Sequence, residues 1–217
     1  MRPKAATRDG FTLIELLVVI AIIGLLTALL VAAMAPTDIK TKIAGARAEL
    51  AQMESAIQDY KNTLGFYPPD NPNDAAINPL YFELLGSTNG GGNYVTLDAG
   101  GKISLADLNS KFSRQGFANT STKAHSSDET GAPMPFLNHL RPNQVGEIVS
   151  GGSTVKILVC SVEWPAGASP APIAGTTLNP WRYVSSHPTN NSGAYDLWVD
   201  LMIGNKSYRV SNWSKEP

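Results

Sequence analysis

The 217-residue sequence is short of charge. Only 16% of its residues are Asp, Glu, Lys or Arg, against roughly 25% in ordinary soluble domains, so its apolar content has to be located before it is interpreted. A single cysteine, Cys160, excludes a disulfide-stapled scaffold. Basic charge is not in surplus either: 17 Lys and Arg face 18 Asp and Glu, and no stretch of ten residues holds more than three Lys or Arg. Nucleic-acid binding is therefore not expected. His125, His139 and His187 lack the i, i+4 pairing of helical metal sites. No Gly-x-Ser-x-Gly elbow, Walker loop or Cys-x-x-Cys pair is present. Gly90-Gly91-Gly92 has no Lys-Ser/Thr after it and is expected to be a flexible loop. Enzyme chemistry is not expected.

What the sequence does have is one long apolar run. From Phe11 to Ala35, 21 of 25 residues are apolar, the exceptions being Thr12, Glu15, Gly24 and Thr27. As a helix this run is about 37 Å long, enough for a hydrocarbon core of about 30 Å. A secretory signal peptide is the competing reading, since Arg2, Lys4 and Arg8 precede the run and Ala33-Met34-Ala35 has a small-x-small form. The run exceeds an ordinary h-region, and Pro36 would follow the cut. Three basic residues precede the segment and three follow it closely, Lys40, Lys42 and Arg47. Flanking charge therefore leaves the orientation open, and a short cytoplasmic N-terminus is the simpler topology. Glu15 breaks the apolar pattern. It either snorkels to the headgroups or finds a cationic partner.

Residues Arg8 to Ile20, Arg-Asp-Gly-Phe-Thr-Leu-Ile-Glu-Leu-Leu-Val-Val-Ile, resemble the processing motif of type IV prepilins and type II secretion pseudopilins. The resemblance implies cleavage between Gly10 and Phe11 by a prepilin peptidase, N-methylation of Phe11, and a role for Glu15 in subunit addition. Cleavage would remove three basic residues and Asp9, changing the balance to 14 (17 − 3) against 17 (18 − 1), a net charge of −3. A new ammonium at Phe11, buried among stacked helices, would need a carboxylate, and Glu15 of a neighbouring subunit is the expected partner.

From Ile39 to Leu64 the apolar positions recur at spacings of 4 and 3 (Ile39, Ile43, Ala46, Leu50, Met53, Ile57, Tyr60, Leu64). This predicts an amphipathic helix with Lys40, Lys42, Arg47, Glu49, Glu54, Asp59 and Lys61 on its other faces. A kink is expected at Pro36 and a stop at Gly65 before Pro68-Pro69. Residues 68 to 131 read as a loop-rich insertion with short helices at 79–85 and 104–112. Strands are expected at 154–163, 181–185, 194–202 and 207–213, forming one antiparallel sheet packed on the helical stripe. Cys160 is expected to be a buried, inert thiol.

The stretches Asn179 to Tyr183, Tyr195 to Trp198 and Ser211 to Trp213 are similar to the end of the major pseudopilin of type II secretion. The family holds a calcium ion near this point. Here the loop 201–206 has no carboxylate, leaving Asp196 and Asp200 as weak candidates, and calcium is not expected to be required.

The sequence therefore predicts an α+β, pilin-like protein divided into a leader (1–10), a transmembrane assembly helix (11–35), an amphipathic continuation (36–64) and a loop-rich head with a C-terminal sheet (65–217). The expected function is that of a structural subunit of a type II secretion-like pseudopilus at the bacterial inner membrane, with its head in the periplasm. By resemblance its partners are copies of itself, other pseudopilins, the prepilin peptidase and methyltransferase, the inner-membrane secretion platform with its ATPase, and membrane lipid. Two alternatives stay open: a minor type IV pilin serving adhesion, motility or DNA uptake, and a single-pass membrane-tethered binding module.

Overall fold

The computed structural model describes residues 11–122, 132–150 and 152–214, with side chains of 29–37, 122 and 150 excepted. The expected leader, including Gly10, and His125 lie outside these residues. The structure is α+β: an N-terminal helix followed by antiparallel and mixed sheets, consistent with a pilin-like fold. The chain divides into two units, at Thr41 and Lys42.

Helix α1 spans Leu13–Leu64. The backbone stays helical through Pro36, so the proline does not end the helix. The helix stops at Gly65, whose φ of +87° favours a residue without a Cβ. Within the second unit, Ala46, Leu50, Met53, Ala56, Ile57 and Tyr60 of α1 are buried, as the 3–4 spacing requires. They join one core with Leu197, Val199 and Leu201, the inward-facing positions of the C-terminal sheet. Glu49 departs from the expectation: it is 1% exposed. It lies three residues after Ala46 and four before Met53, which places it on the packed face.

The C-terminal sheet comprises β7 (Arg182–Val184), β8 (Asp196–Ile203) and β9 (Lys206–Ser211), antiparallel in that order. Its β8–β9 turn is Gly204-Asn205, with Gly204 at φ +61° in the first central position, as type II′ turns prefer. The single four-stranded sheet expected from the sequence is not formed. Strand β6 (Ser153–Leu158) pairs instead with β5 (Val145–Ser150) as a separate hairpin, and only an isolated bridge, Val159 with Pro180, connects this region to the approach to β7.

The segment read as loops holds a further sheet. Strands β1 (Ser87–Gly90), β2 (Asn93–Thr96), β3 (Lys102–Ser104) and β4 (Thr120–Thr122) lie in the order β3-β2-β1-β4, with β1 and β4 parallel. The glycine triplet is a hairpin corner: Gly91 and Gly92 have φ of +64° and +79° between paired Gly90 and Asn93, the signature of a type I′ turn. Helices α2 (Leu80–Leu85) and α3 (Leu105–Phe112) fall within a residue of their expected positions. Ser104 caps α3 by accepting from the Asp107 N–H at 3.1 Å.

Buried carboxylates tie these pieces together. Glu83 of α2 accepts from the Tyr60 hydroxyl of α1 at 2.9 Å and from the backbone N–H groups of Ala118 and Asn119 at 2.9 and 3.0 Å. Burial pushes its carboxyl above the ordinary range despite those donors. Glu49 accepts from Ser161 N at 3.1 Å and from Arg141 at 3.3 Å. Asp70 accepts from Ser185 N, Ser186 N and the Ser186 hydroxyl, tying the exit from α1 to the end of β7.

Candidate processing and assembly site

Helix α1 begins with a reciprocal cap. Thr12 precedes the first helical residue, its Oγ1 accepts from Glu15 N at 3.3 Å, and its own backbone N–H donates to Glu15 Oε2 at 2.8 Å. This is the capping box Thr-x-x-Glu, which satisfies two donors that a helix start otherwise leaves without partners. The Thr12 hydroxyl also donates to Oε2, at 2.8 Å. Snorkelling and intersubunit pairing were the roles weighed for Glu15 in the sequence. The capping role was missed, although the spacing Thr12-Leu13-Ile14-Glu15 carries its signal.

Beyond the cap, apolar side chains stand exposed around the helix. Phe11 is 80% exposed, Leu13 83%, and even the least exposed of the large ones, Val19, is 45%. A soluble monomer rarely leaves so large an apolar surface open. Nothing lies within 4 Å of a Cβ built on Gly24, so this small-residue position can admit a neighbouring backbone closely. The Thr27 hydroxyl donates to the Ile23 carbonyl at 2.5 Å, so it asks nothing of its surroundings. Among the described residues no helix is long and apolar enough to cross a membrane. Described helical side chains in the run extend from Leu13 to Ala28, about 24 Å of rise against a core of about 30 Å.

The weak calcium candidates have other work in the structure. Asp196 is 2% exposed. Its carboxylate accepts from the backbone N–H groups of Thr189, Asn190 and Asn191 at 2.8, 2.9 and 2.8 Å, and from the Asn190 amide at 3.0 Å. Burial alone would raise its carboxyl, but these donors hold it below the ordinary carboxylate value. Asp200 takes a two-point contact from Arg209, at 2.7 and 3.2 Å, and faces Arg182 at 3.4 Å. Among the described residues no group of three or more His, Cys, Asp and Glu is placed to hold a metal ion. His139 and His187 are exposed. Cys160 is buried, and its thiol is pushed up to about 12, by burial first and then by the nearby Glu49 charge.

Residues 6–31 match the model of a family described as the prokaryotic N-terminal methylation motif. The match takes in Gly10, Phe11, the Thr12–Glu15 cap and the exposed apolar segment. It supports a type IV pilin-like or pseudopilin-like protein, processed by a prepilin peptidase and assembling with other pilin-like subunits of a membrane-anchored surface or periplasmic filament. No curated protein and no solved structure matches the chain.

Proposed function

We propose that the chain is a structural, non-enzymatic subunit of a type II secretion-like pseudopilus. In this reading residues 11–35 cross the inner membrane once, with the N-terminus in the cytoplasm and the head in the periplasm. The prepilin peptidase cuts between Gly10 and Phe11, and Phe11 is methylated. The apolar segment then passes from lipid into a helical bundle of like segments, and growth of that bundle, powered by the secretion platform's ATPase, moves protein cargo. The observation that carries the reading is the exposed apolar helix that begins at a prepilin-type cleavage position and holds one carboxylate.

The capping box refines the part played by Glu15. Among the described residues both Thr12 donors reach Oε2, so Oε1 can turn to the Phe11 ammonium of a neighbouring subunit while the helix start stays capped. Capping needs only an acceptor at this position, and Gln serves as well as Glu. Ion pairing needs the charge. The two roles are therefore separable. Glu15→Gln subunits should be processed but fail to polymerise, as should Glu15→Ala subunits. Normal filaments from Glu15→Gln with none from Glu15→Ala would make Glu15 a helix-capping residue and refute the intersubunit pair. Mass spectrometry of the mature chain should find methylated Phe11 at the N-terminus. An intact Met1, or a cut after Ala35, would overturn the whole reading.

A further inference from the structure

The second unit carries an open pocket of about 620 Å³ formed by one loop, residues 165–177. From Trp164 to Trp181 no side chain is charged over 18 residues, in a sequence of which 16% is charged. The pocket walls are Pro, Ala, Gly, Ser and Thr throughout, so covering them desolvates no ion. Hydrogen bonds fix this shape in the free chain. The Trp164 backbone N–H donates to the Thr177 carbonyl at 2.9 Å and closes the loop at its base. The Trp164 indole N–H donates to the Ala168 carbonyl at 3.1 Å, and the Thr176 hydroxyl to the Ile173 carbonyl at 3.0 Å. Ile173 is buried and anchors the loop in the core. A preformed concavity of this kind takes an uncharged, apolar occupant.

The same unit presents one. Val149, on the β5–β6 hairpin, is 73% exposed, more than any other large hydrophobic side chain described in the unit. Its register partner, Thr154, is also exposed. Between Glu147 and Lys156, which pair at 3.5 Å, the hairpin has no charge. The hairpin is anchored at Gly146, where a Cβ would lie 2.6 Å from Val159 Cγ1 and 3.1 Å from Leu178 Cδ2. Three residues of strand carry Val149 about 10 Å beyond that anchor.

From these two surfaces we infer that the hairpin tip of one subunit, led by Val149, seats in the 165–177 pocket of a second copy. The inference rests on the filament reading. A contact between two different patches of one chain is head-to-tail, so it leaves a patch free at each end and propagates as an open helix. A patch that meets itself closes into a dimer instead. In a filament built through α1 the heads are held at high local concentration, so a small contact suffices. Processed subunits of net charge −3 repel one another, and the tip and the pocket are surfaces that meet without burying a charge. Seating the Val149 side chain favours the contact ~10-fold.

The test uses the full-length chain in cells that assemble the filament. Val149→Cys is combined with Ala166→Cys or Ala174→Cys, both exposed positions of the pocket wall, while the native Cys160 stays buried. Filaments are oxidised with copper phenanthroline and run on denaturing gels. The expected result is a ladder of covalent multimers from a double variant, dimers from a mixture of the two single variants, and monomer from either single variant alone. Val149→Asp should lower filament yield ~10-fold with the urea midpoint of the head unchanged. Filaments that form normally but give no cross-link at either pocket position would overturn the contact and leave the filament reading standing. Dimers from Val149→Cys alone would show tip meeting tip, and a disulfide confined to the monomer would show the tip on its own pocket; each overturns it. The same ladder from Glu15→Ala subunits that do not polymerise would remove the contact from the filament and overturn it as well. No filament from the unsubstituted chain would remove the filament reading, and the inference with it.

Discussion

The bond between Tyr60 and Glu83 is the most direct test of how the head is fastened to its helix. Tyr60 is fully buried and Glu83 is 1% exposed, and their 2.9 Å contact joins α1 to α2. Tyr60→Phe removes one donor to a buried carboxylate, and a hydrogen bond to a charged group contributes about 1.5–3 kcal/mol. Glu83→Ala strands the same hydroxyl together with the N–H groups of Ala118 and Asn119, and each buried donor left without an acceptor costs about 1–3 kcal/mol. The double variant should lose less than the sum by about 1.5–3 kcal/mol, because the shared bond can be lost only once. Urea unfolding of the full chain in micelles, followed by tryptophan fluorescence of the head, measures all three. Additivity within about 0.5 kcal/mol would refute the reasoning. A pH series adds a second check. Burial raises the Glu83 carboxyl, so the folded chain holds a proton that the unfolded chain has released. The resulting stabilisation is full below about 4.3, the ordinary value of a glutamate, and is lost as pH rises through the folded value. Glu83→Gln should flatten the stability curve over that interval.

Asp196 should behave in the opposite sense. Its carboxyl is held low by the donors of the 189–191 loop, so its contribution is present above about 3.9 and disappears as pH falls through the folded value; Asp196→Asn should cost about 1–3 kcal/mol and remove this acid limb in a urea series. Because the Asp196 and Asp200 carboxylates are already occupied by protein donors, a calcium chelator should leave the melting temperature of the head unchanged, and a lowered melting temperature would contradict that assignment. Gly86→Ala should destabilise the head by about 1–3 kcal/mol, since at φ +69° its Cβ would lie 2.9 Å from the Met134 carbonyl and 3.0 Å from Leu97 Cδ1; an unchanged urea midpoint would show that this corner yields.

Legibility followed the range of the interaction. The apolar run, the stripe from Ala46 to Tyr60 and the stop at Gly65 are all local periodicities or local backbone preferences, and the chain states them directly. Two features were equally local and were passed over: the Thr12–Glu15 box and the place of Glu49, whose spacing from Ala46 and Met53 puts it on the packed face. The sheet from β1 to β4 was not legible, because strands of three and four residues are too short to show alternation.

The sequence by itself determined the processing motif, the α+β class and the helix that carries both the exposed assembly surface and the core stripe, because each depends on residues close together in the chain. Only the tertiary structure decided that β6 pairs with β5 and not with the C-terminal sheet, that Glu83 and Glu49 lie buried against donors supplied from 35 and 112 residues away, and that Leu178, just after the pocket loop, packs on Gly146 of the hairpin. Contacts of that separation leave no periodic trace in the chain, since the partners are brought together by packing of the whole core and not by the geometry of any one element.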